Sequence, residues 1–227
     1  MKRIILFLIL FPVIIFCQEF TVEKVSGDVR VMKGTNEIWI PVKIGDKLSG
    51  DDLITTGSKA VIQISRSGKK FILGSNSALE VNLIKKISIN ELLLALAMEE
   101  IRNVPKIKSN GNFKNTAVYG KEIRPNETEI NISNDLGVKR LNGAMQLAES
   151  GYKETAILFA RETYRKYPST KNLISNRLFF VDILIDLGLY SEADSELAQI
   201  KQLNLTSVEK DEVNKRIDKI KFEEISR

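Results

Sequence analysis

The sequence contains no histidine and a single cysteine, Cys17, in 227 residues. Without histidine the chain cannot assemble a Ser-His-Asp or Cys-His nucleophile, a histidine-ligated metal, or an unperturbed side-chain switch near neutral pH. With one cysteine it can form neither an internal disulfide nor a thiolate zinc cluster, so burial alone must hold the fold. Long apolar runs are also scarce. A composition that is 43% hydrophobic and 28% charged excludes an integral membrane protein and suits one or two compact domains.

The one long apolar run is Ile4 to Phe16, preceded by Lys2-Arg3 and followed by Cys17-Gln18-Glu19. This is the order of a secretory signal peptide, residues 1–17. As a helix the run would span roughly 20 Å, short of a ~30 Å hydrocarbon core, and Pro12 weakens it as an anchor. Two processing routes are open. Either cleavage after Cys17 leaves Gln18 first, or Cys17 is lipidated. Ile14-Ile15-Phe16-Cys17 resembles a bacterial lipobox except at Phe16, where that motif takes a small residue, and this departure favours simple secretion. Membrane contact is expected only if Cys17 is lipidated. Loss of Lys2 and Arg3 lowers Lys+Arg from 34 to 32 against 29 acidic residues, a net charge of +3. With no long basic run, no nucleic-acid partner is expected.

From Phe20 to about Asn82 short apolar bursts alternate with glycine turns, which predicts consecutive strands in a closed or nearly closed small β domain over residues 18–84. The bursts are Phe20 to Val25, Val29 to Met32, Ile38 to Val42, Ala60 to Ile64, Lys70 to Leu73 and Leu79 to Leu83. The spacing Val25-x-Gly27-x-Val29, Trp39-x-Pro41-Val42-x-x-Gly45-Asp46-x-Leu48, Gly50-Asp51-x-x-x-Thr55-Thr56-Gly57, Ala60-x-Ile62-x-Ile64 and Ser67-Gly68-Lys69 resembles a FecR-like domain over about residues 22–81. The resemblance implies an extracytoplasmic domain. Its best-known members regulate sigma factors through a cytoplasmic segment, and no sequence precedes the signal here to play that part. Trp39 beside Pro41 is either a carbohydrate-stacking platform or a core filler. Asp46, Asp51 and Asp52 lack the spacing of an EF-hand and are expected to form turns.

Ser88-Ile89-Asn90-Glu91 has capping-box spacing ahead of Leu92 to Met98, which predicts a connecting helix over residues 88–104, buried between layers, docked on the following helices, or binding a partner. Residues 105–134 shift to Asn, Lys, Thr, Glu and Gly and are expected to be a linker or irregular extension, with Thr116 to Gly120 a candidate late strand.

Gly151-x-x-x-x-Ala156 recurs 37 residues later as Gly188-x-x-x-x-Ala193, with Leu147 matched by Leu184. Each glycine separates two helical patterns, so the unit is a helix-turn-helix. This resembles tetratricopeptide repeats over about residues 136–203. The first copy departs from the family pattern at Arg140 and Lys153, where large aromatics are common. Two copies fall short of the roughly three that bury a continuous core, so Thr206-Ser207-Val208-Glu209 is expected to open a capping helix, closing a helical domain over residues 135–227.

The expected fold class is therefore α+β in two parts, a small all-β domain followed by an α-helical hairpin array. The resemblance implies a concave partner-binding face, which by helix position holds Asn142, Met145, Glu149, Ser175, Asp182 and Asp186. Asp182 and Asp186 share a helix face and could in principle do acid–base work. No other catalytic element, metal or cofactor is implied. The expectation is an exported, non-catalytic scaffold of the periplasm or cell envelope that holds a protein or peptide partner, with a cell-wall component as a second candidate. The alternatives are an extracytoplasmic sensor related to sigma-factor regulators and a carboxylate-dependent wall-modifying enzyme.

Overall fold

The computed structural model describes residues 19–34, 36–103 and 130–225. The expected signal peptide with Cys17, and most of the expected linker with its candidate strand, lie outside the described residues.

Eight strands come first: β1 Phe20–Ser26, β2 Val29–Met32, β3 Trp39–Pro41, β4 Lys47–Leu48, β5 Leu53–Thr56, β6 Val61–Arg66, β7 Lys69–Leu73 and β8 Ala78–Glu80. They form two antiparallel sheets, ordered β4-β1-β6-β7 and β3-β2-β5-β8. The expected small β domain is built as two separate sheets, because Gly27 and Asp28 turn the chain out of the first sheet directly into the second. Gly27 has φ +74°, and a Cβ there would come within 2.9 Å of Ala60 Cα. Such a turn needs glycine. Period-two alternation then decides which residues face inward. Val22 opposite Ile64 in one sheet and Val31 opposite Ile54 in the other are all 1% exposed or less. The predicted strand Leu79 to Leu83 is shorter than expected, β8 passing into a 3-10 turn at Val81–Leu83.

Six helices follow: α1 Ile89–Asn103, α2 Ile130–Glu149, α3 Lys153–Lys166, α4 Ile174–Asp186, α5 Tyr190–Ile200 and α6 Ser207–Ile225. The capping boxes form as expected. Ser88 Oγ accepts from the Glu91 N–H while the Glu91 carboxylate accepts from the Ser88 N–H, and Thr206 and Glu209 do the same at α6. Gly151 and Gly188 take φ of +85° and +73° at the α2–α3 and α4–α5 reversals. α2 starts at Ile130, inside the expected linker.

The sheets and helices share one buried cluster running from Phe20 to Ile220. Their seam is α2 laid over β8. A Cβ on Gly143 would overlap the Ala78 carbonyl oxygen, so the approach depends on glycine in the middle of that helix. Around it Asn142 Nδ2 donates to the Asn76 carbonyl (2.7 Å), Gln146 Oε1 accepts from the Gly74 N–H (2.6 Å), and Gln146 Nε2 donates to Ser77 Oγ (2.7 Å). Buried Arg140 lies 4.5 Å over the Phe159 ring and 2.9 Å from the Glu80 carboxylate. Through it a cation of the helical half reaches the other half.

Candidate functional site

The residues expected on a partner-binding face are for the most part held within the chain. Asn142 is committed to the β8 loop, and Met145 Sδ accepts from Asn176 Nδ2 at 3.4 Å. Asp182 receives a forked pair of bonds from Arg216 of α6, Nε to Oδ1 at 2.9 Å and Nη2 to Oδ2 at 2.7 Å. Burial works against the Arg216 charge, but these bonds and those to Glu212 outweigh it and raise the guanidinium pKa. Asp186 lies 3.1 Å from Lys153 of α3 and 4.0 Å from Lys219 of α6. The two aspartates lie one turn apart as predicted, and each serves as a tie between helices. Glu149 and Ser175 are exposed. Asp46 and Asp52 form turns, Asp46 accepting from the Lys43 N–H and Asp52 from the Ser49 N–H and hydroxyl.

A cleft of about 610 Å³ lies elsewhere, where α1, α3, α4, α5 and the 3-10 turn Pro168–Asn172 meet. α1 packs on α3, with Leu92 and Leu96, one turn apart, on its buried side, as expected of a helix docked on those that follow. Arg177 and Glu196 line the cleft, 2.6 Å apart and each about 5% exposed or less. Arg161 approaches the same carboxylate at 3.8 Å. Arg165 and Lys171 are exposed residues of its lining. Tyr164 also lines the cleft, and its buried hydroxyl has no hydrogen-bond partner among the described residues. Burial, reinforced by the Glu196 carboxylate, raises its pKa, so it is a neutral donor.

None of these cleft residues was anticipated from the sequence. The available signal was Arg177, an arginine set into the apolar stretch Leu173 to Leu187, where a charge persists only with a partner. Glu196 lies on the next helix with nothing local to mark it. Chemically the cleft offers fixed charges of both signs and hydroxyl and amide groups, which suits recognition of a polar chain.

Trp39 is half-buried and absent from the core, so it is not a core filler. It borders a second, smaller hollow of about 310 Å³ between the second sheet and α2. No family model, curated protein or solved structure matches this chain.

Proposed function

We propose that the protein is an exported, non-catalytic interaction scaffold of the cell envelope that seats an extended segment of a protein partner in the cleft between α1, α3 and α5. The cleft carries the proposal. Its lining includes a buried Arg177–Glu196 pair, and removing either partner would strand a charge, so that wall is preorganised. Exposed Arg165, Lys171 and Ser195 can bind a peptide's carbonyl and carboxylate groups, while Glu99 and Glu192 can accept from its amides and ammonium groups. A concave cleft of this volume is large enough to seat a ligand segment, and its convergent polar groups can fix the segment's orientation.

The signal-like leader supports export, and the FecR-like and tetratricopeptide-like patterns support an extracytoplasmic binding role. Asp182 and Asp186, each paired to a cation of another helix, are assigned to cohesion rather than to catalysis. Membrane contact is assigned only to a lipidated Cys17.

The test replaces Lys171 with photoreactive p-benzoylphenylalanine and irradiates the native envelope, with the same replacement at Asp218 on the exposed side of α6 as the control. A discrete protein adduct at position 171, absent at 218 and lost on adding Arg165→Glu, is the expected result. Equal labelling at both positions, or none at 171, overturns the proposal.

A further inference from the structure

Register and period two place Trp39 and Pro41 of β3, Arg30 and Met32 of β2, and Leu53 and Thr55 of β5 on the outer face of the second sheet. α2 covers only one side of that face. Ala78 of β8 is buried beneath it and Leu53 of β5 is also buried, while Arg30 is exposed and Trp39 half-buried. The step between the covered and open halves is the 310 Å³ hollow, walled by Trp39, Arg30, Asp28, Thr55, Asp135 and Lys139.

The charges in this hollow cancel. Arg30 Nε lies 3.0 Å from Asp28 Oδ1, and Lys139 Nζ lies 3.0 Å from Asp135 Oδ2. Two cations and two carboxylates give no net sign, so neither an anion nor a cation is selected by long-range attraction. What they supply together is a set of donors and acceptors beside one indole ring, with the Thr55 hydroxyl among them. A ligand matching that set is uncharged, carries several hydroxyl groups, and has an apolar C–H face to lie on an aromatic surface.

We propose that this hollow binds a neutral pyranose unit of a glycan, with the ring stacked on Trp39 and its hydroxyls shared among Arg30, Asp28, Asp135 and Lys139. The site lies on the second sheet and α2, apart from the α1–α3–α5 cleft, and stands or falls independently of the peptide there. Such a chain could hold a protein and a polysaccharide at once.

Trp39 is the only tryptophan, so its fluorescence reports this hollow alone. Purified protein is titrated with maltotetraose, cellotetraose and the N-acetylglucosamine tetramer, up to about 20 mM to cover weak binding. At least one sugar is expected to give a saturable emission change. Arg30→Gln and Lys139→Gln should each weaken that binding about tenfold, the effect of one lost hydrogen bond, with circular dichroism unchanged. Trp39→Ala, followed by NMR line broadening of the sugar, should abolish it. Sodium acetate and sodium phosphate should not compete. No saturable change with any of the three sugars, a change untouched by Arg30→Gln, or displacement by either anion overturns the proposal.

Discussion

In the β half the buried polar side chains are Asp52, Thr56 and Ser77, and all three serve turns of that half, with Ser77 also accepting from Gln146 of α2. Asp52 caps the Ser49 turn, Thr56 donates to the Gly74 carbonyl and accepts from the Ser77 N–H, and Ser77 donates to the Ser75 carbonyl. In the helical half the buried polar set includes three charges, Arg140, Arg177 and Glu196, each reaching another element. Short strands joined by tight turns leave backbone groups to be satisfied locally, which the Thr56 and Ser77 hydroxyls do without a charge and the Asp52 carboxylate does beside Lys33. Helices satisfy their own backbones, so their polar side chains are available to tie one helix, or one half, to another.

This contrast can be broken most severely at Glu196. Glu196→Ala strands the Arg177 guanidinium and should cost about 3–5 kcal/mol by urea unfolding. The double variant Arg177→Met with Glu196→Leu should recover most of the loss. If the single variant is neutral, the charged tie is not structural.

Gly143→Ala sharpens the comparison at the seam. In an isolated helix alanine is favoured over glycine by about 1 kcal/mol. Here the added methyl meets the Ala78 carbonyl, and we expect instead a loss of about 1–3 kcal/mol. Because both halves share one core, the parent should unfold in a single transition, and this variant should split it when tyrosine and tryptophan signals are followed separately.

In the β half Asp52→Ala removes both bonds to Ser49 and should lower stability by about 1–3 kcal/mol, read from the denaturation midpoint. Thr206→Ala, outside both sets, tests a cap alone and should cost about 1 kcal/mol.

The smallest effect is expected from pH at Glu23 on β1. Hydrogen bonds from Ser65, Gln63 and Lys70 lower its carboxyl from 4.5 to about 2. A depressed folded pKa contributes stability that is complete above the unfolded value and is lost as pH falls from about 4.5 through about 2. Carbon-detected NMR titration of that carboxyl checks the value, and Lys70→Met should move it upward.

Much of the architecture was legible because it is written in local periods. Alternation with glycine turns marked most of the strands, and the 37-residue recurrence of Gly151 and Gly188 marked the hairpins. The division into two sheets was not legible because no local pattern tells whether the chain after Gly27 stays in its sheet. The partner face was placed on Asn142 from repeat position alone, but an asparagine on a helix surface reads the same whether it meets solvent or the Asn76 carbonyl 66 residues away. The cleft was illegible for the same reason, since its walls come from α1, α3, α4, α5 and the Pro168–Asn172 turn and meet only in the folded chain. Gly143, a helix-weakening residue at the seam, was the available local sign of close approach.

The α2–β8 seam also sets an order in time. Chains emerge from the amino end first, and β8 is complete about fifty residues before α2 begins. Until then one margin of the second sheet stands bare, the kind of edge that recruits strands from other molecules. The bonds from Asn142 and Gln146 to the β8 loop span 66 to 72 residues. Maturation of the sheet is thus tied to arrival of the helices, and a chain truncated after α1 should be a sticky product rather than a small independent domain.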